Sequence, residues 1–431
     1  MAKNVAQLKQ NLNDDVLEVR LDSLRCLMRK INNGELTKPK TGKDVNNHIH
    51  TTFSFSPYSP TKAVWMAYQA GLATAGIMDH DSISGAQEFI EAGKIVGMAT
   101  TIGIECRVDF SGTPLSGRRI NNPDQDSVAY IALHGIPHTQ INTVEEYFRP
   151  YREHRNRRNR KMVDKINALV SEQALALDFD RDVIPLSQYN KGGSITERHI
   201  LYALSLRLIQ QFGKGQSLLD YLRNQLKLNI SEKINGFLSD ESNPHYEYDL
   251  LGLLKGEMVA GFYIDATEEC PDVREVIALS KKIGAISAYA YLGDVGESVT
   301  GDKKSQKFED DYLDELFEVI TELNFNAVTY MPSRNSHQQL DRIRRLCEKH
   351  GFFQISGEDI NSSRQSFICT AMRHEKYQNL FDSTWALIGH ELAAAKDQGK
   401  GLFSEETILK YPDLDQRIQV FKEIGLSLSR S

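Results

Sequence analysis

The stretch 46–81 constrains this chain more than any other, because it places five potential metal ligands in one strand–helix–strand unit. It begins NNHIHTT, where one residue separates His48 from His50. Successive side chains of a β-strand point to opposite faces, so both imidazoles would face the same way and could chelate one ion. A second short apolar segment then runs into Asp79, His80 and Asp81.

Two readings of these residues are open. Histidines near loops are often solvated or hydrogen-bonded structural residues, and either half of the stretch alone would fit that reading equally well. Both halves, however, end strands of an α/β pattern, and α/β folds place their active sites at the carboxyl ends of strands. Together they favour a hydrolytic metal centre.

The composition is that of a globular protein with an ample core. The chain has 431 residues, of which 40% are hydrophobic and 25% are charged, and a formal net charge of -7. We expect a soluble protein with one large domain and additions. The acidic balance argues against a dedicated nucleic-acid binder, which would carry a basic face. A small anionic substrate stays compatible with it, because a bound divalent cation would dominate the local field.

Cysteine usage and hydropathy predict the compartment. Five widely separated cysteines without a CxxC pair argue against a disulfide framework or a structural zinc ribbon and favour a reducing environment. The first residues contain no apolar targeting segment, and no apolar run reaches membrane-spanning length. We therefore expect a cytoplasmic protein without a membrane partner.

The rhythm of apolar residues predicts the architecture. Residues 1–43 read as a helical extension, and from residue 44 short strands alternate with helices. The third predicted strand runs into Glu105, and the fourth, over residues 128–133, runs into His134. Strand–helix units that each end in a ligand type predict a parallel, barrel-like sheet.

A basic run at residues 149–165 follows on a predicted helix. The default interpretation is a solvated face. The alternative is that one or two guanidiniums, such as that of Arg158, lean over the metal site and bind phosphate oxygens. The chain then divides into five parts. They are an N-terminal helical extension (1–43), the first part of the barrel (44–165), a helical insertion that carries His199 (166–270), the second part of the barrel (271–380) and a C-terminal helical extension (381–431).

Six segments in this order resemble the PHP (polymerase and histidinol phosphatase) superfamily, and most closely its stand-alone phosphoesterase branch. They are NNHIHTT, GIMDHDS, TIGIE, YIALHG, SITERHILYAL and SGEDIN. The resemblance implies an α/β fold, a distorted seven-stranded β/α barrel with metals at the carboxyl ends of its strands.

The resemblance also implies a ligand set for two divalent metal ions. The first ion would be held by His48, His50, Glu105 and Asp359. The second ion would share Glu105 with His134 and His199. Imidazoles suit Zn, Mn or Fe, and a bridging carboxylate can hold two such cations close together.

Three positions depart from the family pattern. Phe55 stands where relatives have an aspartate, and Asn361 stands where they have a histidine. In relatives with three metals both positions belong to the third site, so here His80 would be free for catalysis or would hold at most a weak third ion. Tyr289 or its neighbour replaces a further histidine, and a tyrosine there could still donate a hydrogen bond to a phosphate oxygen.

These residues predict hydrolysis of a small phosphomonoester or phosphodiester by a water that two metals activate. His80 or Asp79 would position that water or protonate the leaving oxygen. Arg364 or an arginine of the basic run would bind the phosphate. Asp79 could instead orient a histidine, and Arg364 could instead form a surface salt bridge. We expect a small phosphorylated substrate, and a homo-oligomer is left open.

Two rival functions remain. An amidohydrolase-type barrel hydrolase shares the opening H-x-H, although the GIE, R-H and G-E-D-I-N segments favour the phosphoesterase. A degenerate metal-binding or regulatory protein would account for Phe55, Tyr289 and Asn361. The six retained ligands argue against it, because clusters of buried histidines and carboxylates are costly to keep without a purpose.

Overall fold

The computed structural model describes residues 4–170, 172–295 and 306–429. The outermost residues of both predicted extensions, residue 171 of the predicted insertion and residues 296–305 of the second barrel part lie outside the described residues.

A curled seven-stranded sheet forms the centre of the fold, and its strands follow one another in chain order. They are β1 Val45–Ile49, β2 Thr74–His80, β3 Ala99–Asp109, β4 Val128–His134, β5 Ile286–Ala290, β6 Ala327–Tyr330 and β7 Phe353–Ser356. The backbone of Ile360, after β7, donates to His48 O at 3.0 Å and accepts from His50 N at 2.9 Å. These bonds join the two edges of the sheet, so the distorted barrel that the sequence predicts is confirmed.

β4 corrects the prediction of a parallel sheet. It is antiparallel to both β3 and β5, whereas all other neighbouring strands pair in parallel. No helix lies between β3 and β4 in the described chain, and strands joined without a crossover helix pair antiparallel. His134, the last residue of β4, therefore pairs with Ile286, the first residue of β5.

Fifteen α-helices surround the sheet in the described residues. They are α1 Val5–Asn11, α2 Leu17–Asn32, α3 Pro60–Ala70, α4 Ala86–Val96, α5 Ile141–Val170, α6 Glu197–Phe212, α7 Gln216–Asn224, α8 Glu232–Ser239, α9 Tyr246–Phe262, α10 Val273–Ile283, α11 Leu313–Glu322, α12 His337–His350, α13 Gln378–Lys396, α14 Glu405–Lys410 and α15 Leu414–Ser429. In α3 the Ser59 hydroxyl accepts a hydrogen bond from Lys62 N, and Gly71 ends the helix with φ +82°. None of the helices in the described ranges combines the length and the apolar character needed to cross a membrane.

The basic run lies on α5, but three of its arginines contradict the default interpretation of a solvated face. Arg152, Arg155 and Arg158 are each no more than 5% exposed. Arg155 pairs with Asp81 after β2, and Arg158 pairs with Glu197 of α6 at 2.6 Å. These buried ion pairs connect the barrel to the inserted helices.

The inserted helices α6 to α9 and the second half of α5 share an apolar core of their own. Its buried members include Met162, Leu204, Leu250 and Phe262. Phe55, in the loop after β1, belongs to the same core. The insertion therefore packs at the end of the barrel where β1 delivers its histidines.

The C-terminal helices cover the opposite end of the barrel. Leu387 of α13 and Phe421 of α15 are buried in one cluster with side chains of several strands. Glu391 of α13 accepts hydrogen bonds from Ile102 N at 2.8 Å and from the Thr101 hydroxyl at 2.7 Å, near the start of β3. α13 and α15 approach each other at Gly389, where an added Cβ would lie 1.9 Å from the carbonyl oxygen of Phe421.

This close approach predicts the effect of a single methyl group. Gly389→Ala should lower the free energy of unfolding by about 1–3 kcal/mol, because the new Cβ meets backbone that cannot rotate away. The matched control is Gly252→Ala in α9, where a Cβ would meet nothing within 4 Å. That change should be neutral or stabilising by up to about 1 kcal/mol. Urea unfolding followed by circular dichroism measures both, and equal effects would contradict the packing described for α13 and α15.

Candidate metal centre

The four side chains predicted to hold the first ion lie together at the mouth of the barrel. His48 Nε2 lies 3.2 Å from His50 Nε2, which lies 3.2 Å from Asp359 Oδ1. Glu105 Oε2 of β3 lies 3.8 Å and 3.9 Å from the two imidazole nitrogens. Ligation of a metal by this group stays a prediction, but the geometry brings all four donors to one place.

The donor set fits a divalent transition metal. The imidazoles of His48 and His50 have carboxylate oxygens within 4 Å, and imidazole with carboxylate is a ligand mixture that Zn, Mn or Fe accepts. Burial raises the pKa of the Glu105 carboxyl, although the neighbouring histidines oppose that rise. Burial would also raise the pKa of Asp359, but contact with His50 outweighs it and keeps that pKa below its ordinary value. A bound cation would accept the lone pairs of these closely spaced imidazole nitrogens and carboxylate oxygens.

His50 is oriented from behind by a serine and an aspartate. The Ser54 hydroxyl donates to Asp79 Oδ1 at 2.6 Å, so its oxygen can accept the Nδ1 proton of His50 at 3.2 Å. This arrangement leaves the Nε2 lone pair of His50 free to face the other ligands. Asp79 also accepts from the backbone and hydroxyl of Thr51, at 2.7 Å and 2.6 Å. Asp79 thus lies behind the ligands, in the orienting position that the sequence left as its alternative role.

His80 lies among the ligands. Its Nδ1 is 3.0 Å from Glu105 Oε2, and its ring centroid is 4.6 Å from that of His50. His50, His80 and Glu105 form a second group of closely spaced ligand atoms beside the group of His48, His50 and Asp359. Burial, together with the charge of His50, lowers the pKa of His80 well below its ordinary value, so the ring is neutral at pH 7.

The predicted second ligand set is not brought together. His134 and His199 belong to neither group of ligand atoms in the described chain. His134 is 2% exposed, and burial lowers its pKa to about 3. His199 Nδ1 accepts from Thr196 N at 3.0 Å, and its ring packs edge-on against Phe55 at 4.9 Å. His134 is not among the grouped ligand atoms because β4 is antiparallel, so its last residue lies beside the first residue of β5.

Tyr130 takes the place on β4 that the sequence gave to His134. It pairs with Arg107, beyond Glu105 on β3, and its ring centroid lies 5.8 Å from that of His80. Sequence reasoning missed it because it assumed a parallel strand. The available signal was the stretch between β3 and β4, FSGTPLSGRRINNPDQDS, which is rich in turn residues and lacks a helical pattern.

A cavity of about 310 Å³ opens over the ligands. His48, His80, Glu105 and Asp359 line it, together with four cationic side chains: Arg155, Arg198, Lys255 and Arg334. The charge of Arg198 lowers the pKa of Lys255 to about 8. Arg198, Lys255 and Arg334 were not identified from the sequence, because nothing local distinguishes them from surface cations.

The three residues predicted to bind substrate lie elsewhere. Arg158 is held by Glu197 and Glu269, and Arg364 pairs with Asp249 at 2.6 Å while stacking on Phe237. Tyr289 is fully buried, and its hydroxyl donates to Glu309 Oε1 at 3.1 Å. None of the three lines the cavity, so the guanidiniums that face the ligands are those of Arg155, Arg198 and Arg334.

Comparisons with known proteins place this geometry in context. The sequence model of the PHP domain family matches residues 46–325. Seventy residues are 36% identical to a 5'-3' exoribonuclease from Haemophilus influenzae, and this match covers 16% of this chain and 26% of that protein. The chain therefore spans only about a quarter of that relative.

Two solved structures share the fold at low identity. An amidohydrolase from Chromobacterium violaceum with bound sulfate has a TM-score of 0.51 and 14% identity, over 76% of this chain and 90% of that chain. A protein from Bifidobacterium adolescentis, provisionally assigned as a metal-dependent phosphoesterase, has a TM-score of 0.49 and 19% identity, over 78% of this chain and 96% of that chain.

The bridge through Ser54 predicts a measurable effect on metal binding. Ser54→Ala should weaken Mn²⁺ binding by about tenfold to a hundredfold, because His50 loses the partner that fixes its tautomer and orientation. Titration calorimetry on metal-stripped protein measures this change. Ser56→Ala is the matched control, because the buried Ser56 hydroxyl has no hydrogen-bond partner among the described residues. Equal affinities in the two variants would refute the orienting role.

Proposed function

Because this chain belongs to the PHP domain family, we propose that it is a metal-dependent hydrolase of phosphoester bonds that acts on a small phosphomonoester or phosphodiester. One observation carries the proposal: two overlapping groups of imidazoles and carboxylates, which share His50, border a cavity lined by three arginines and one lysine. Metal ligands on one side and guanidiniums on the other suit a phosphate group between them.

His48, His50, Glu105 and Asp359 would hold a divalent Zn, Mn or Fe ion. A bound ion of this kind lowers the pKa of water toward 7 and neutralises charge on phosphoryl oxygens. His80 faces the cavity as a neutral imidazole beside Glu105, so it can accept a proton from water or return one to the leaving oxygen. Asp79 and Ser54 keep His50 in its ligating orientation.

The cations of the cavity would bind and orient the substrate. Arg155 is fixed by its buried pair with Asp81, and Arg334 donates to the carbonyl of Leu292 at 3.2 Å. Both guanidiniums keep further N–H groups for phosphate oxygens.

A second candidate substrate is the end of an RNA chain, which the name of the Haemophilus influenzae relative suggests. That relative is matched over only a short part of its length. The net charge of -7 and the small cavity favour a small phosphorylated molecule over a long nucleic acid. A cytoplasmic location and a homo-oligomer stay predictions from the sequence.

The proposal predicts a clear loss of activity in one variant. With added Mn²⁺, Glu105→Ala should lower phosphate release from p-nitrophenyl phosphate by about a hundredfold or more. The ion would lose a carboxylate ligand, and His80 would lose the carboxylate that it contacts. The control is Glu348→Ala, an exposed carboxylate on α12. A rate that survives Glu105→Ala would exclude this centre as the site of hydrolysis.

Substrate class can be tested on the unmodified protein. A panel of nucleoside monophosphates, sugar phosphates and a 5′-phosphorylated oligoribonucleotide, each assayed for phosphate or nucleotide release, separates the two candidates. We expect turnover of small esters to exceed that of the oligonucleotide. The reverse order would favour the exonuclease candidate.

A further inference from the structure

The number of metal ions can be argued from the arrangement of the ligands. His50 belongs to both groups of ligand atoms, with His48 and Asp359 in one and with His80 and Glu105 in the other. Its Nδ1 is engaged with the Ser54 hydroxyl, so only the Nε2 lone pair is available. One lone pair binds one ion. When His50 serves the first ion, the second group is reduced to His80 and Glu105.

Two protein ligands are too few for a tight second site. Structural and catalytic zinc sites in proteins use at least three protein ligands. The two histidines predicted to complete the second site belong to neither group of ligand atoms among the described residues: His134 pairs with Ile286 on β5, and His199 packs against Phe55. The residue of β4 beside His80 is Tyr130, whose pKa is raised by burial, so it stays a neutral phenol.

The inserted helices bring positive charge to the same cavity. Arg198 is the second residue of α6, and Lys255 lies on α9. Both line the cavity with Glu105 and Asp359, and neither forms a hydrogen bond or an ion pair within the described ranges. Two like charges held near each other without a partner suit an anionic ligand between them.

We infer that this site holds one tightly bound divalent cation, at His48, His50, Glu105 and Asp359, and that Arg198 and Lys255 supply the positive charge that a second cation would otherwise bring to the substrate's anionic group. This inference departs from the two-ion centre expected from the family resemblance, which stays untested. The part that concerns substrate rests on the proposed phosphoesterase function, whereas the ion count does not.

The ion count is measured directly on the full chain. Protein loaded with Mn²⁺ and then desalted should retain about one equivalent per chain by elemental analysis. His199→Gln should retain the same single equivalent, as should His154→Gln, a control histidine paired with the exposed Glu268 outside the cavity. His50→Gln should lose it. Two retained equivalents in the unmodified protein, with one lost in His199→Gln, would overturn the inference.

The charge substitution is measured with inorganic phosphate as the probe. Arg198→Gln and Lys255→Gln should each weaken phosphate binding to the Mn²⁺-loaded protein by about tenfold or more, since each removes a charge-assisted contact. The retained Mn²⁺ should stay at one equivalent in both. Lys161→Gln, an exposed cation on α5 outside the cavity, should bind phosphate normally. Unchanged phosphate affinity in both cavity variants would refute the role of these cations.

These readouts separate the inference from the proposed function. One equivalent of metal and phosphate binding that depends on Arg198 and Lys255 would uphold the inference even if no phosphoester in the panel is hydrolysed. Thermal unfolding of each variant shows that a lost signal reflects the site and not the fold.

Discussion

The hydrogen bonds that close the barrel also hold together the candidate metal centre. The backbone of Ile360 bonds to both His48 and His50, so the seam between the two edges of the sheet runs through the ligand residues themselves. Asp359 is the neighbour of Ile360 and arrives at the same place. The Asn46 side chain supports this seam, because it accepts from His48 N at 2.8 Å and donates to the carbonyl of Glu358 at 3.0 Å. Ligands separated by three hundred positions are thus fixed by backbone pairing, which is more rigid than contacts between side chains.

Local periodicity predicted the alternation of strands and helices and the common direction of His48 and His50, whereas the seven-stranded barrel and the first ligand group came from the family resemblance. The H-x-H spacing, the strand ends and the caps of α3 are each visible within a few residues. Sequence reasoning failed for features that depend on which strands pair with each other in the sheet. The direction of β4 is decided by its pairing with β3 and β5, so the expectation that His134 follows the carboxyl end of a parallel strand was wrong. Arg198 and Lys255 were missed for a related reason, since only the packing of the insertion brings α6 and α9 to the mouth.

The buried arginines of α5 explain how the insertion is held in register with the barrel. Arg158 joins Glu197 of α6 to Glu269, and Arg107 of β3 reaches the same two carboxylates at 3.5 Å and 3.3 Å. Buried pairs of this kind add little net stability, because desolvation offsets their attraction, but removing one partner is costly. Their effect is to fix position. Glu197 precedes Arg198 directly, so the same network that anchors α6 also sets where the Arg198 guanidinium can reach.

The positions that depart from the family pattern have become supports for the remaining site. The Asn361 amide donates to Asp359 Oδ1 at 2.7 Å, so a residue that could have been a ligand instead orients one. Phe55 packs against His199, Tyr202 and Tyr248, and thereby ties the loop after β1 to the insertion. An aspartate at that position would be a buried charge without a partner in this apolar core, which would be strongly unfavourable. Phe55 therefore stands in the place of a potential ligand and packs against the insertion at the same time. The same packing helps to hold in place the helices that carry Arg198 and Lys255.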